Sequence, residues 1–352
     1  MSVSPSYRAA RQTSAFVDLS KRGRIVVGGD DRVSYLQGLL TNDIAALKPG
    51  NGCYAAYLTP QGRMITDMRV LNLGGELLLD VPPATSEMLV GRFREFIIME
   101  DVAVENRTAA CATFCICGPE AARVVTRVLR FPVGDGLSPL GASELGSYSE
   151  YQHSVGDFGG VPIVTARSNE TGEVGFLLYF ESAAREALGA ALVNTGVAEI
   201  DVEMFDILRV EAGRPAFPTD MDQKTIPLEA GIEDRAISMT KGCYVGQEVI
   251  VRILHRGRGR VGRLLVGISF AADYDPPPRG TMLTVHDGEQ TVGSITSSVL
   301  SPALGRPIAL GYVERELSEP GTELIAVAGL RRLSGVVTSR PFLPLRTNKP
   351  LR

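Results

Sequence analysis

Hydrophobic positions along this chain alternate between strand and helix spacing as far as residue 255, and settle into strand spacing alone beyond Arg260. Arg24 to Val27 reads as a strand closed by Gly28-Gly29. Asp30 or Asp31 then caps a helix whose inner face is Val33, Leu36, Leu39 and Leu40. Strands follow at 53–58, 64–73 and 76–81, the last two joined by a turn at Gly74-Gly75. Thr85 or Ser86 caps a helix with Met88, Leu89, Phe93, Phe96 and Ile97 as its apolar stripe. Strands at 102–105 and 112–117 lead to a helix opened by Pro119 and running through Leu129. Residues 131–150 are rich in Gly, Pro and Ser and read as a linker. Beyond them come strands at 161–166 and 175–180, a helix at 182–194 and another from about 202 to 212, stopped by Gly213 and Pro215. After residue 260, short strands alternate with Gly and Pro turns (264–270, 282–286, 292–299, 308–313, 323–328, 335–339), the signature of a small β-barrel or sandwich. The pattern predicts an α+β protein in three parts, 1–135, 151–255 and 260–352.

Composition narrows the class. The chain has 352 residues, 44% hydrophobic and 22% charged, which suits a globular protein with substantial cores. Its net charge of −4 argues against bulk electrostatic binding of nucleic acid. Five cysteines, an odd number over a long chain, fit a reducing cytoplasm better than a disulfide scaffold. No apolar run is long enough to span a membrane. The first sixteen residues carry Arg8 and Arg11, serines and no acid, a faint echo of a transit peptide, but Ala15 to Ser20 already reads as folded domain.

Three stretches carry candidate chemistry. In Lys241-Gly242-Cys243-Tyr244-Val245-Gly246-Gln247-Glu248 a cysteine sits between glycines, after a lysine and before an apolar helical run of Val249, Ile250, Ile253 and Leu254. A thiol near a helix N-terminus and beside a cation has its thiolate favoured; the competing reading is a small buried hydrophobe in a turn. In Thr171-Gly172-Glu173-Val174-Gly175-Phe176 a carboxylate stands on a tight turn before a strand, placed to grip the paired N–H edge of a heterocycle such as a pterin, or simply solvated on a hairpin. In Leu208-Arg209-Val210-Glu211-Ala212-Gly213 two charges lie on an otherwise apolar helix. Cys111, Cys115 and Cys117 share one apolar strand and read as core, and His153, His255 and His286 form no metal signature. Arg252, Arg256, Arg258 and Arg260 form a basic run suited to a polyglutamate tail or RNA phosphates, or to a solvated domain junction.

Thr171-Gly172-Glu173-x-Gly175-Phe176, Leu208-Arg209-x-Glu211-Ala212-Gly213 and Pro227-Leu228-Glu229-Ala230-Gly231 together resemble the glycine-cleavage T-protein (aminomethyltransferase) superfamily of tetrahydrofolate-binding proteins. So do Asp18-Leu19-Ser20, Thr41-Asn42-Asp43 and, near the C-terminus, Gly293-x-Ile295-Thr296-Ser297 with Ile308 to Val313. The stretch Lys241 to Glu248, with His255-Arg256-Gly257, is similar to the branch that assists iron–sulfur cluster assembly or repair. The resemblance implies a ring of α+β domains around a folate channel, with a C-terminal β-barrel. It implies Glu173, Arg209 and Tyr244 as folate-binding residues, and Cys243 and Asp67 as reactive ones. The family's paired aspartates stand here as Thr66-Asp67, and the aromatic before Thr171 is Glu170. On this basis the expected function is a tetrahydrofolate-binding accessory protein for iron–sulfur proteins or their assembly factors, acting through Cys243. The alternatives are a folate-dependent aminomethyl or other one-carbon transferase using Asp67, and a non-catalytic RNA- or protein-binding module.

Overall fold

The computed structural model describes residues 4–131, 140–285 and 290–346. Helix α1 (Pro5–Gln12) leads into β1 (Ala15–Asp18), β2 (Gly23–Gly28) and α2 (Arg32–Leu39). A meander of β3 (Gly52–Leu58), β4 (Met64–Asn72) and β5 (Leu77–Val81) precedes α3 (Ser86–Glu95), β6 (Ala103–Asn106), β7 (Cys111–Cys117) and α4 (Ala121–Val128). Next come α5 (Ala142–Gly146), β8 (His153–Phe158), β9 (Val161–Ser168), β10 (Gly175–Glu181), α6 (Arg185–Asn194), β11 (Ala198–Glu199) and α7 (Val202–Glu211). Three short helices, α8 (Pro227–Ala230), α9 (Glu233–Ala236) and α10 (Gln247–His255), lead to the last six strands. These are β12 (Arg263–Phe270), β13 (Met282–Thr284), β14 (Thr291–Ser301), β15 (Arg306–Glu314), β16 (Glu323–Ala328) and β17 (Arg331–Thr338).

The architecture is α+β, as the periodicity predicts, and the barrel alternative is the one realised: β12-β15-β14-β13-β16-β17 close on themselves. Ahead of it stand a five-stranded sheet, β3-β4-β5-β2-β6, and a six-stranded sheet, β11-β1-β7-β10-β9-β8. Sheet membership does not follow the expected division near residue 131. Strands β1 and β7, from the first stretch, hydrogen-bond within the sheet built by β8 to β11. The expected linker holds the short helix α5, and its residues 132–139, like His286, lie outside the described residues.

Packing places a third core between the two sheets. On β10 the side chains alternate: Phe176, Leu178 and Phe180 enter the cluster under α4 and α6, while Leu177 and Tyr179 enter a central cluster shared with Leu71 of β4 and Leu78 of β5. Both faces of β10 are buried, which explains its unbroken apolar run. On β4 the same alternation turns Met68 and Val70 into the cluster against α2 and α3, and turns Asp67, Arg69 and Leu71 to the central side. Cys115 and Cys117 pack in the central cluster, as their strand spacing predicts. Among the described residues no helix is long and apolar enough to cross a membrane.

Candidate functional site

Charged side chains collect where the two sheets meet α7. Antiparallel pairing of β3 and β4 sets Tyr54 opposite Arg69 and Ala56 opposite Asp67, so Tyr54 Oη donates across to Asp67 Oδ2 at 2.6 Å. The turn after β9 contributes Glu170. Helix α7, capped by Asp201 accepting from Met204 N at 2.7 Å, presents Val202, Phe205, Asp206 and Arg209 along one face, at the i, i+3, i+4, i+7 spacing of a helical stripe. With Arg22, Arg235 and the loop Pro215 to Phe217, these residues line a cavity of about 240 Å³.

Most of the charge there is already satisfied. Arg22 and Arg69 both bind Asp80, which also accepts from Tyr179 Oη at 2.7 Å and so ties the two sheets together. Glu170 accepts from Tyr151 Oη at 3.0 Å and lies 3.6 Å from Arg69 and 3.5 Å from Arg235. Burial alone would raise the Glu170 and Asp80 carboxyls, but their arginines outweigh it and hold both below the usual range. Arg209 is clamped by Asp206 at 2.7 Å, Asp220 at 2.8 Å and Ser297 of the barrel at 2.9 Å. Asp67 differs. It is 7% exposed, and among the described residues Tyr54 is its one side-chain hydrogen-bond donor. Burial raises its carboxyl, with the Tyr54 bond and the more distant Arg22 and Arg69 opposing. The cavity thus offers one carboxylate oxygen without a partner, and Tyr54, Phe205 and Phe217 are among the residues that line it.

Of the residues singled out from sequence, Asp67 and Arg209 meet in this cavity; Glu173, Tyr244 and Cys243 do not line it. Glu173 is 2% exposed. Its Oε1 accepts from Arg11 Nη1 of α1 at 2.9 Å, and its Oε2 is buried without a partner. The same Arg11 also pairs with Glu211, a fully buried residue that accepts from Tyr7 Oη at 2.8 Å and from Ser301 of the barrel. The N-terminal segment therefore folds as a strap over the Thr171–Glu173 turn.

Tyr244 is buried in the central cluster. Lys241, expected beside the thiol, turns inward: its Nζ donates to the carbonyls of Gln37 at 2.6 Å, Leu40 at 2.6 Å and Asn42 at 3.0 Å, closing the C-terminus of α2. Burial lowers its pKa to about 8. Gly246 has φ 86°, and a Cβ there would stand 2.5 Å from Thr59 O, so the segment lies tight on the β3–β4 hairpin. Cys243 alone of the five cysteines is exposed. Arg252, Arg256, Arg258 and Arg260 are exposed along and beyond α10 and do not line the cavity. No group of His, Cys, Asp and Glu among the described residues is arranged to hold a metal ion.

Sequence reasoning missed Arg11, Arg22, Tyr54, Arg69, Glu170 as a lining residue, and Arg235. One signal was present: Asp67 and Arg69, two apart in a run from Met64 to Leu71 that is otherwise apolar except for Thr66, must share one face of a buried strand.

Comparison with known proteins gives two family matches, the GCVT N-terminal domain over residues 2–241 and the glycine cleavage T-protein C-terminal barrel domain over residues 263–343. An aminomethyltransferase of Thermosynechococcus vestitus is 30% identical over 97% of this chain and 88% of its own length. One of Rubrobacter xylanophilus is 30% identical over 99% and 88%. A putative chloroplastic transferase of Arabidopsis thaliana is 28% identical over 93% and 71%. The crystal structure of glycine cleavage system aminomethyltransferase T from Bartonella henselae superposes with a TM-score of 0.83 at 22% identity, over 98% of this chain and 90% of that one.

Proposed function

Because the chain belongs to the glycine cleavage T-protein family, we propose that it binds a reduced folate in the cavity between its sheets and α7, and that it takes part in one-carbon transfer of the aminomethyl kind. The observation that carries this reading is Asp67. A buried carboxylate with one free oxygen, in a cavity also lined by Tyr54, Phe205 and Phe217, can accept from an N–H of a reduced pterin, and a charge-assisted bond in such a site is stronger than a neutral one. When bound, tetrahydrofolate supplies the nitrogen that accepts the one-carbon unit. Asp67 orients it, and burial, which raises its carboxyl above the usual carboxylate value, favours the proton-bearing form of the same group. Arg209, fixed by Asp206, Asp220 and Ser297, supplies a cationic wall. Glu173 supports the site at one remove, by anchoring to α1 the turn that carries Glu170.

Thr66 points away from the cavity, bonded to Thr85 Oγ1 at 3.1 Å, so the strand alternation leaves only position 67 facing the ligand side. The test is calorimetric titration with tetrahydrofolate, followed by a transfer assay with an aminomethylated lipoyl carrier protein. The wild type should bind, and Asp67→Asn should bind about thirtyfold more weakly, a loss of about 2 kcal/mol. A protein that takes up no reduced folate would overturn the reading.

A second reading, an accessory role toward iron–sulfur proteins, rests on Cys243. It is the exposed cysteine, at the surface of a segment whose Lys241 and Tyr244 are buried. Five free cysteines also favour a reducing compartment such as the cytoplasm.

A further inference from the structure

Which oxygen of Asp67 is left free depends on where the Tyr54 ring stands, because Tyr54 Oη gives Asp67 its side-chain hydrogen bond. One face of that ring is covered by Arg235 of α9, whose guanidinium carbon lies 4.9 Å from the ring centroid. Arg235 is itself fixed at both ends. Its carbonyl accepts from Asn42 Nδ2 at 2.9 Å, and the same amide donates to the carbonyl of Tyr54 at 2.8 Å, so one side chain clamps α9 to β3 at the two residues concerned. At the other end Arg235 Nη2 reaches Glu150 at 2.8 Å, Tyr151 Oη at 3.0 Å and Glu170 at 3.5 Å. A planar guanidinium gripped in this way has little freedom to swing off the ring. Among the described residues Arg235 makes no hydrogen bond or ion pair with Asp67 itself.

Around Asp67 stand Tyr54 from β3, Arg22 from the turn before β2, Arg69 from β4 and Glu170 from the turn after β9. The Tyr54 bond and the two arginines favour the charged carboxylate, and Glu170 opposes it. Arg235 bears on two of these groups, the Tyr54 ring and Glu170. Glu170 also has Arg69 and Arg214 to answer its charge. The Tyr54 ring, among the described residues, has Arg235 as its one cation.

We propose, building on the folate reading above, that Arg235 is a positioning residue: by holding the Tyr54 ring it keeps the Tyr54 hydroxyl on one oxygen of Asp67 and leaves the other charged and free to accept from the ligand. Without that hold the carboxylate loses a donor inside a buried site and takes up a proton at higher pH. A protonated carboxyl makes no charge-assisted bond to a ligand N–H, so affinity is lost on the acid side at a correspondingly higher pH.

The experiment is anaerobic calorimetry with tetrahydrofolate from about pH 4 to 9, on wild type, Tyr54→Phe, Arg235→Met and the double variant. The titration of the ligand itself is common to all four and drops out of the differences. Tyr54→Phe and Arg235→Met should each move the acid-side midpoint of binding up by about one pH unit. In the Tyr54→Phe background, Arg235→Met should add less than about half of its own shift, because the group it acts through is gone. Arg235→Lys keeps the charge beside Glu170 and loses the fork that grips Glu150 and Tyr151. It should shift the midpoint the same way by about half a unit, and its comparison with Tyr54→Phe decides the matter if Arg235→Met does not fold. A wild-type midpoint in the Arg235 variants, whatever their affinity, overturns this inference and leaves the folate reading standing. So does a shift that keeps its full size in the Tyr54→Phe background, which would mean that Arg235 acts through Glu170 or on the ligand directly. A wild type that binds no tetrahydrofolate at any pH overturns the folate reading and this inference with it.

Discussion

At the scale of single residues, the position of a carboxylate decides its role more than the motif that contains it. Glu173 and Glu170 stand three apart in one turn, yet Glu170 faces the cavity while Glu173 is sealed under α1 with Arg11. The turn was legible from Gly172 and Gly175; the partner was not, because Arg11 lies 162 residues earlier and nothing local to the turn points to it. Glu173→Gln keeps the shape and loses the charge that Arg11 meets. Given our placement of Glu173, this variant should keep tetrahydrofolate affinity within about threefold, where Asp67→Asn loses it, and, because burial raises the Glu173 carboxyl, it should be no less stable than wild type at pH 7 in urea denaturation. A thirtyfold affinity loss in Glu173→Gln, with normal stability, would return Glu173 to the ligand.

At the scale of elements, β4, β5 and the turn after β9 hold charges with opposite pH behaviour. Asp80 and Glu170 have folded pKa values below their unfolded ones, so the stability they contribute is present above about pH 4–5 and is lost as pH falls through their folded values. Asp67 has a folded pKa above its unfolded one. Its contribution is present at low pH and is lost as pH rises from about 4 through the folded value. Two profiles follow, both read from urea midpoints between pH 3 and 8. Glu170→Gln should be less stable than wild type at pH 7, with a smaller but still measurable deficit at pH 3. Asp67→Asn should be as stable as wild type at pH 3 and more stable at pH 7. The strands themselves were readable, because alternation on β4 and the solid apolar run of β10 both mark strands, each of which is buried on both faces. Which sheet each strand joins was not. β1 sits beside β7 and β11 through contacts that no local pattern encodes, so a boundary drawn at the Gly- and Pro-rich stretch near residue 131 cuts across a sheet.

At the scale of the whole molecule, α1, the two sheets, α7 and the barrel are joined by buried ion pairs and hydrogen bonds, of which those of Arg209 border the cavity. Arg209 reaches the barrel through Ser297, and Glu211 through Ser301. Cys243 stands apart from these joints. Its neighbours Lys241 and Tyr244 are structural, one closing α2 and one filling the central core, while the thiol itself faces solvent and lines no part of the cavity. The two functional readings are therefore separable by substitution. Cys243→Ser removes an exposed thiol, the group on which the second reading rests. It should leave the urea midpoint unchanged within about 0.5 kcal/mol, and leave tetrahydrofolate affinity and any aminomethyl transfer at wild-type levels. Asp67→Asn should lose folate affinity and transfer together. In cells lacking the protein, rescue of iron–sulfur enzyme activity by wild type but not by Cys243→Ser would make the surface thiol a second working group. Full rescue by Cys243→Ser, with loss in Asp67→Asn, would leave folate chemistry at Asp67 as the function and remove the accessory reading.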